Sequence, residues 1–187
     1  RGWGPNQWIS SDDRVRGGLS KSYLDCTTKG AHFHGLLDIQ ALGGAGFASQ
    51  RTRGDDRRPL WDLTSYNGIE IALDVSQSDR KVYTLILKDH VLPPNPNNGR
   101  EQSTISWEYN FSTTDCSTND SAGLSEVKLF APWDSFQSTY RGKPSNETKR
   151  LALNNIKRIS IMIRSFFGTQ EGQFTLKLLS LSAYALP

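Results

Sequence analysis

Apolar and polar residues alternate along most of this chain, and the alternation predicts β-strands with one buried face. The clearest stretch is Gly68–Val75, where Ile69, Ile71 and Leu73 fall on one face and acidic residues fall mostly on the other. Windows with helical periodicity are hard to find. The pattern therefore predicts an all-β chain.

Other segments show the same two-residue period, so roughly nine strands are expected in total. The other segments are Leu19–Thr27, Ala31–Ile39, Gly46–Arg53, Lys81–Lys88, Thr104–Ser112, Ser125–Ala131, Ile156–Phe166 and Gln173–Tyr184. The segment that ends at Lys88 carries apolar side chains on both faces, which indicates a strand covered on both sides. The apolar phase changes near Leu178, which indicates a β-bulge. Strands without alternating helices favour a two-sheet antiparallel β-sandwich or jelly roll.

Three long connections interrupt the strand pattern. They are Asp89–Ser103, Thr113–Gly123 and Asp134–Asn155. Connections of this length in a compact domain are usually functional or mobile. The first is too rich in proline and asparagine to continue a strand.

The composition fits one soluble globular domain over residues 1–187, because 36% of the residues are hydrophobic and 22% are charged. The net charge is +3, and basic residues mostly lie beside acidic ones, which argues against nucleic-acid binding. No apolar run approaches the roughly 20 residues of a membrane span. We expect a monomer that contacts neither nucleic acid nor membrane.

The cysteines and the glycosylation motifs bear on the compartment. Cys26 and Cys116 permit one intramolecular disulfide, and the alternative is two unrelated thiols. Asn-x-Ser/Thr motifs occur at Asn110, Asn119 and Asn146. The chain begins without methionine, as expected of a processed product. Together these features predict a secreted, extracellular glycoprotein.

The segment 8–20 reads Trp-Ile-Ser-Ser-Asp-Asp-Arg-Val-Arg-Gly-Gly-Leu-Ser, in which a Ser-Asp pair is followed by Gly-Gly-x-Ser. Further stretches follow it in order: Phe33–Gly35, Gly43–Ser49, Asn67–Glu70, Trp133–Phe136 and Gly172–Leu176. In these motifs and their order, the chain resembles the complex I intermediate-associated protein 30 domain family over roughly residues 8–184.

The resemblance implies a galactose-binding-like β-sandwich, a fold that this family shares with many carbohydrate-binding modules. The family is named after an assembly factor for mitochondrial respiratory complex I that has no established catalytic activity. A mitochondrial location is therefore the alternative to secretion, although a disulfide and glycosylation motifs suit an oxidising secretory route.

The opening motif has a structural interpretation that does not depend on the family. Gly17 and Gly18 precede a strand and allow a positive φ or a close backbone approach. Asp12 and Asp13 can accept backbone N–H bonds that fix the incoming loop. A structural role is favoured over a ligand site.

Metal ligands are sparse in the sequence. His32 and His34 lie two apart in a predicted strand, so both imidazoles point to one face. A third ligand is not evident, since the other histidine is His90, and no metal site is predicted. Acids such as Asp12, Asp13 and Asp38 are candidates for a structural calcium by analogy with related sandwiches, but their spacing is not that of a calcium loop.

Catalytic motifs are also missing. The sequence contains no Gly-x-Ser-x-Gly, and neither cysteine has an activating neighbour. A glycosidase needs only two facing carboxylates, and the 19 acidic residues make some such pair inevitable. The chain is predicted not to be an enzyme, with a glycan-active enzyme as the third hypothesis.

Aromatic residues are the better guide to a ligand, because sugar rings dock their C–H faces on exposed aromatic rings. Trp107, Tyr109 and Phe111 alternate with Ser106, Glu108 and Asn110, so one strand face is aromatic and the other polar. If Asn110 is glycosylated, the aromatic face is core. A concave sheet lined by aromatic residues would reverse that conclusion. The predicted ligand contacts are Trp3, Trp61 and Tyr140.

The sequence favours a secreted, non-catalytic module that binds an oligosaccharide or polysaccharide. The alternative is a protein-interaction or assembly factor of the complex I intermediate-associated type.

Overall fold

Strands dominate the computed structural model, which describes residues 3–4, 6–53, 61–115, 125–146 and 149–186. In chain order the strands are β1 (Trp8–Ser10), β2 (Lys21–Thr27), β3 (Gly30–Leu37), β4 (Phe47–Thr52), β5 (Gly68–Asp74), β6 (Tyr83–Lys88), β7 (Ser106–Phe111), β8 (Glu126–Pro132), β9 (Gln137–Tyr140), β10 (Lys143–Pro144), β11 (Arg158–Arg164) and β12 (Gly172–Tyr184). Short 3₁₀ turns lie at Asp13–Arg16, Val75–Gln77, Trp133–Ser135 and Leu153–Asn155. The described residues contain no helix long and apolar enough to span a membrane.

The strands form two antiparallel sheets that pack against each other. The seven-stranded sheet has the order β1-β4-β11-β6-β7-β9-β10, and the five-stranded sheet has the order β2-β3-β12-β5-β8. All nine strands that the alternation predicts are present, with ends that differ by a few residues. The register between β12 and β5 shifts between Leu178 and Ser180. The predicted sandwich and its bulge are therefore confirmed.

Three short strands differ from the prediction. β1 has three residues, and β9 and β10 form a small hairpin at the edge of the seven-stranded sheet. An edge strand with few apolar residues leaves no alternation to detect, because it contributes little to the core. The prediction of one long connection over Asp134–Asn155 was therefore wrong, because the β9–β10 hairpin interrupts it.

The core lies between the two sheets and is filled from alternate positions of their strands. Tyr83, Leu85 and Leu87 of β6 and Ile161 and Ile163 of β11 are all buried. β6 is buried on its other face as well, as its sequence predicts. The aromatic face of β7 also packs into this core, so it is not a free platform for a ligand.

Buried carboxylates join the two sheets near β2 and β4. Asp13 is fully buried and accepts hydrogen bonds from the backbone N–H (3.1 Å) and the hydroxyl (2.7 Å) of Ser20, just before β2. It also accepts one from the N–H of Phe47 in β4 (3.1 Å). Because β2 and β4 belong to different sheets, this carboxylate holds one sheet against the other.

Asp12 joins the two sheets in the same way, through residues two positions further along the chain in each case. It accepts hydrogen bonds from the hydroxyl of Ser22 in β2 (2.6 Å) and from the N–H of Ser49 in β4 (3.0 Å). Gly17 has φ +85°, and a Cβ on Gly18 would overlap the Asp13 carboxylate. The opening motif thus fixes the loop that enters β2.

Candidate functional site

The seven-stranded sheet has a second face, turned away from the core, that is polar. Its side chains alternate with the core residues along β4, β11, β6, β7 and β9. We call this surface the polar face, and its residues are Arg51, Thr84, Lys88, Glu108, Asn110, Gln137, Thr139, Arg158, Ser160, Met162 and Arg164. The register aligns Arg51, Ser160, Glu108 and Gln137 in one row across the sheet, with Ile86 between Ser160 and Glu108.

Charged residues on the polar face are buried. Arg158 is 3% exposed and Glu108 is 7% exposed, although neither faces the core. Burying a charge is costly unless it is paired and hydrogen-bonded. The structure pairs each of these residues, so the charges on this face are held in a fixed arrangement.

The first ion pair joins β11 to β7. Arg164 Nη2 lies 2.6 Å from Glu108 Oε2 and donates to Asn110 Oδ1 at 3.1 Å. The hydroxyl of Thr84 also donates to Asn110 Oδ1 (2.8 Å), and the hydroxyl of Thr139 donates to Glu108 Oε1 (2.7 Å). Side chains from four strands therefore form one network.

The second ion-pair group involves the long connection between β6 and β7. Glu101 of that connection pairs with Arg158, and its Oε2 atom lies 3.4 Å from Arg51 Nη2. Lys88 Nζ donates to Thr104 Oγ1 at 2.9 Å, and burial lowers the pKa of the Lys88 amine. The connection therefore covers one end of the polar face.

The hydrogen bonding of the polar face is not complete. Arg164 Nε is buried and has no hydrogen-bond partner among the described residues. Glu108 Oε2 makes the ion pair with Arg164, but the pair lies outside hydrogen-bond geometry. Buried polar groups in native proteins nearly always have a partner, so each exception calls for an explanation such as an ordered water or a bound molecule.

The dimensions of the polar face suit an extended ligand. Five strands spaced about 4.8 Å apart span about 19 Å from β4 to β9. Guanidinium donors and carboxylate or amide acceptors occur along that length. Hydrogen bonds to a row of hydroxyl groups, charge-assisted at the basic side chains, are open to the polar side chains of this face that are not buried, which are Arg51, Lys88, Asn110, Gln137 and Arg164.

Two cavities lie outside the polar face. One, of about 530 Å³, is bordered by Trp8 of β1 and by Tyr23 and Asp25 of β2, the edge strands of the two sheets. The other, of about 400 Å³, is bordered by Trp107 and Trp133. The Nε1 atom of Trp107 is buried without a hydrogen-bond partner in the described part of the chain.

The aromatic residues predicted as ligand contacts lie apart from the polar face. Trp3 is half-buried, stacks on Trp8 at 5.5 Å between ring centroids and donates its Nε1–H to Leu179 O. Trp61 is half-buried and pairs with Ile156. Tyr140 is 43% exposed at the sheet edge, with the Arg141 guanidinium 5.4 Å from its ring centroid. Their role as ligand contacts stays a prediction.

The residues predicted for modification are only partly described. Asn110 and Asn146 are exposed, and Asn119 lies outside the described residues. Cys26 is a half-buried thiol in β2, and Cys116 lies outside the described residues. Glycosylation and the Cys26–Cys116 disulfide therefore stay predictions.

The acids considered for calcium bind donors of the chain itself. Asp12 and Asp13 accept the hydrogen bonds described above, and Asp38 Oδ1 accepts from the N–H of Ala41 at 3.0 Å. Their carboxylates thus have a structural use.

The sequence did not identify the polar face as a site. The sequence signal for this face is the alternation of Ser106, Glu108 and Asn110 opposite aromatic residues, which predicts a solvent-exposed face if Asn110 is glycosylated. The arginine residues that complete the network come from β11, about 50 residues later in the chain. Pairing between strands that are distant in sequence brings the two groups together. The pattern of a single strand does not reveal that pairing.

Comparison with known proteins gives a family and a fold. The sequence profile of the family described as complex I intermediate-associated protein 30 matches residues 4–178. An uncharacterized protein of Schizosaccharomyces pombe is 40% identical over 186 residues, which cover 97% of this chain and 79% of that protein.

Solved structures of carbohydrate-binding modules are similar in fold. The family 11 module of the cellulosomal cellulase Lic26A-Cel5E of Clostridium thermocellum matches with a TM-score of 0.58 and 15% identity, covering 98% of this chain and 90% of the module. The Clostridium thermocellum family 11 module in complex with a β-1,3-1,4-mixed-linked tetrasaccharide matches with a TM-score of 0.56 and 15% identity, covering 97% and 91%. Likeness at this identity shows a shared fold.

Proposed function

Because the chain belongs to the complex I intermediate-associated protein 30 family and has the fold of a carbohydrate-binding module, we propose that it is a non-catalytic module that binds an oligosaccharide or polysaccharide along its polar face. The observation that carries the proposal is the buried, ion-paired network around Glu108 and Arg164 on a sheet face that does not serve the core.

The chemistry of the polar face matches that of a sugar chain. Each sugar hydroxyl group both donates and accepts hydrogen bonds, and planar side chains such as Arg, Glu, Asn and Gln contact neighbouring hydroxyls in pairs. Arg164, Glu108 and Asn110 are already held together by hydrogen bonds and an ion pair. A preorganised network costs less ordering entropy when the ligand binds.

The carboxylates of this surface support a binding role rather than hydrolysis. Glycoside hydrolysis uses one protonated and one ionised carboxyl group on opposite sides of the scissile bond. Glu108 and Glu101 both form ion pairs with arginine residues. Both glutamates are thus engaged as partners of cations.

Extracellular location is part of the proposal. It is supported by the exposed asparagine of one glycosylation motif, Asn146, since a glycan at Asn110 would cover the polar face. Intact-mass measurement of protein from its native host, before and after deglycosylation and reduction, tests it. Occupied motifs and a Cys26–Cys116 disulfide support secretion, whereas bare asparagines with two free thiols support a mitochondrial protein.

Affinity electrophoresis against plant and fungal polysaccharides tests carbohydrate binding. We expect at least one polysaccharide to retard the native protein, and the double variant Glu108→Gln, Arg164→Gln to lose about tenfold or more in affinity. The matched control is Glu70→Gln with Lys128→Gln, an ion pair of 3.1 Å on the five-stranded sheet. A negative panel, or equal loss in both double variants, contradicts the proposal.

A second candidate function is docking to a protein partner, as the family name suggests. One feature favours it: Phe130 of β8 is 52% exposed and packs edge-on against Tyr184 of β12, with ring centroids 5.2 Å apart. Exposed aromatic residues are common anchors in protein interfaces. Co-purification with respiratory-complex subunits that is lost in Phe130→Ala would favour this candidate over the carbohydrate module.

A further inference from the structure

Histidine and aspartate side chains meet on the outer face of the five-stranded sheet, the surface opposite the polar face. The registers align Asp25 of β2 with His32 of β3, and Tyr23 of β2 with His34 of β3. We infer that Asp25, His32 and His34 form a binding site for one divalent transition-metal ion, with Zn²⁺ or Cu²⁺ as its occupant. This site is independent of the proposed carbohydrate function.

The three side chains are close enough to share one ion. One ligand atom from each of the three lies within 4.8 Å of the others, and among the residues that the structure describes this is the one such group. The His34 Nε2 and Asp25 Oδ2 atoms are 2.9 Å apart, and the two imidazole centroids are 4.5 Å apart. Ligand atoms around a tetrahedral ion with bonds of about 2.1 Å lie about 3.4 Å apart.

Small side-chain rotations bring the ligand atoms to that spacing. The Asp25 side chain is 71% exposed and the His34 side chain is 32% exposed, so both can rotate without displacing the core. The strands hold His32 and His34 on one face at a fixed separation, because side chains two apart in a strand point the same way. The metal would take the place of the present hydrogen bond between His34 and Asp25.

A neighbouring hydroxyl contacts the imidazole of His32. Thr175 Oγ1 of β12 lies 2.7 Å from His32 Nε2, and the same hydroxyl donates to Gln77 O at 3.4 Å. When the hydroxyl donates to Gln77 O, its oxygen accepts a hydrogen bond from His32 Nε2–H. His32 Nδ1 then carries the lone pair that a metal needs, and ligating histidines are commonly held by such a bond from the other ring nitrogen.

The ligand set selects the class of metal. Two imidazoles and one carboxylate suit Zn²⁺ and Cu²⁺, whereas Ca²⁺ and Mg²⁺ prefer six or more oxygen ligands. Three protein ligands leave at least one coordination position for water or for an exogenous donor. The exposed ring of Tyr23 stacks on His34, with centroids 5.4 Å apart, and borders that side of the site.

The positive charge of the Lys177 ammonium group disfavours binding of a metal ion at this site. Lys177 of β12 lies directly across from His32 in the sheet register. Like charges at this separation repel, so Lys177 weakens binding and its removal strengthens it. Replacing Lys177 by a neutral residue is therefore expected to strengthen metal binding, whereas replacing a ligand residue is expected to weaken it.

Calorimetric titration of the metal-free protein with ZnCl₂, and separately with CuCl₂, tests the site without any carbohydrate. We expect one equivalent of metal to bind, with about tenfold or greater loss of affinity in each of Asp25→Asn, His32→Gln and His34→Gln. His90→Gln is the matched control and is expected to keep full affinity. Lys177→Gln is expected to bind several-fold more tightly, while Lys128→Gln, three strands away from His32, is expected to be unchanged.

Paramagnetic broadening gives a second measurement on the unaltered protein, so the inference stays testable even if a variant fails to fold. Added Cu²⁺ is expected to broaden the amide signals of β2 and β3 around Asp25 and His34 first. The absence of metal binding, or broadening that centres on His90, would falsify the site. Equal affinity in the three ligand variants and the wild type would do the same.

Discussion

Asp13 shows how single residues hold this fold together. Its carboxylate is fully buried, and every hydrogen bond that it accepts comes from the segment before β2 or from β4. Hydrogen bonds to a charged group contribute more than neutral ones, and removing the acceptor leaves buried donors without a partner. One side chain therefore joins the two sheets directly near β2 and β4.

We predict that Asp13→Ala lowers the free energy of unfolding by about 3 kcal/mol or more, because the N–H groups of Ser20 and Phe47 lose their acceptor. Denaturant titration measures the change. Asp62→Ala is the control, since Asp62 also accepts hydrogen bonds but lies in an exposed turn. A loss for Asp13→Ala as small as that of the control would contradict the account.

The two adjacent glycines are predicted to respond differently to alanine. Gly17 has φ +85° and open space around a Cβ position, so Gly17→Ala costs about 1 kcal/mol from backbone strain alone. At Gly18 the added Cβ overlaps the buried Asp13 carboxylate, so the Asp13 network must move. Thermal or denaturant unfolding is expected to rank Gly18→Ala as the more destabilising change, and the reverse order would show that Asp13 tolerates displacement.

Asn110 links glycosylation to the proposed ligand surface. Its amide oxygen accepts hydrogen bonds on the polar face, so a glycan on its nitrogen would cover that face. We predict that protein retained on a polysaccharide column carries glycans at Asn146 and lacks them at Asn110. Mass spectrometry of retained and unretained fractions measures this. Equal occupancy of Asn110 in both fractions would place the ligand elsewhere.

At the scale of elements, the strands that contribute most to the core were predictable. Local alternation identified β5, β6, β11 and β12, because each contributes a full row of side chains to the core. The short strands β1, β9 and β10 were not predicted, since few of their residues are buried. Burial of one side of a strand leaves an alternating pattern within that strand. The pairing of one strand with another leaves no such local pattern.

The polar face illustrates the same limit. The sequence showed a wholly polar face on β7 but not its burial, because that burial depends on Glu101 in the preceding connection and on arginine residues of β11. The third member of the Asp25–His32–His34 cluster was not predicted for a related reason. Asp25 and His34 lie on different strands, and their approach follows from the β2–β3 register.

The turn after β5 leads to a pH-dependent prediction. Asp74 accepts hydrogen bonds from the hydroxyl and the N–H of Ser76 and from Gln77, and these bonds, chiefly those from Ser76, lower the pKa of its carboxyl group. A carboxyl group whose folded pKa is below its unfolded value of about 3.9 stabilises the fold above that pH. The contribution is lost as the pH falls through the folded pKa.

We therefore predict that Asp74→Asn is less stable than the wild type at neutral pH, and that the difference shrinks as the pH falls below about 4. Denaturant unfolding at a series of pH values measures the difference. Asp134→Asn, at an exposed position, is the control and is expected to show little change at any pH. A difference for Asp74→Asn that does not vary with pH would contradict the assigned hydrogen bonds.

At the scale of the whole molecule, the sandwich presents two separate outer surfaces. The seven-stranded sheet carries the polar face, and the five-stranded sheet carries the Asp25–His32–His34 cluster and the Phe130–Tyr184 pair. Both surfaces lie on sheets whose inner faces are fixed by one core. Variants on one surface can therefore serve as controls for the other.

Family and fold class were accessible from the sequence because motifs and alternation recur over nearly the whole chain. The proposed ligand surface was not predictable from the sequence, because related sandwiches share a fold without sharing a site. The half-buried positions of Trp3 and Trp61 also follow from tertiary packing rather than from their neighbours in sequence.

Nuclear magnetic resonance mapping of a bound oligosaccharide tests the central claim most directly. The oligosaccharide is a fragment of whichever polysaccharide retards the protein, titrated into ¹⁵N-labelled wild-type chain. The account predicts that the largest amide shifts fall in β6, β7 and β11 around Glu108 and Arg164. Shifts confined to Trp3, Trp61 or Tyr140, or no shifts at saturating oligosaccharide, would contradict it.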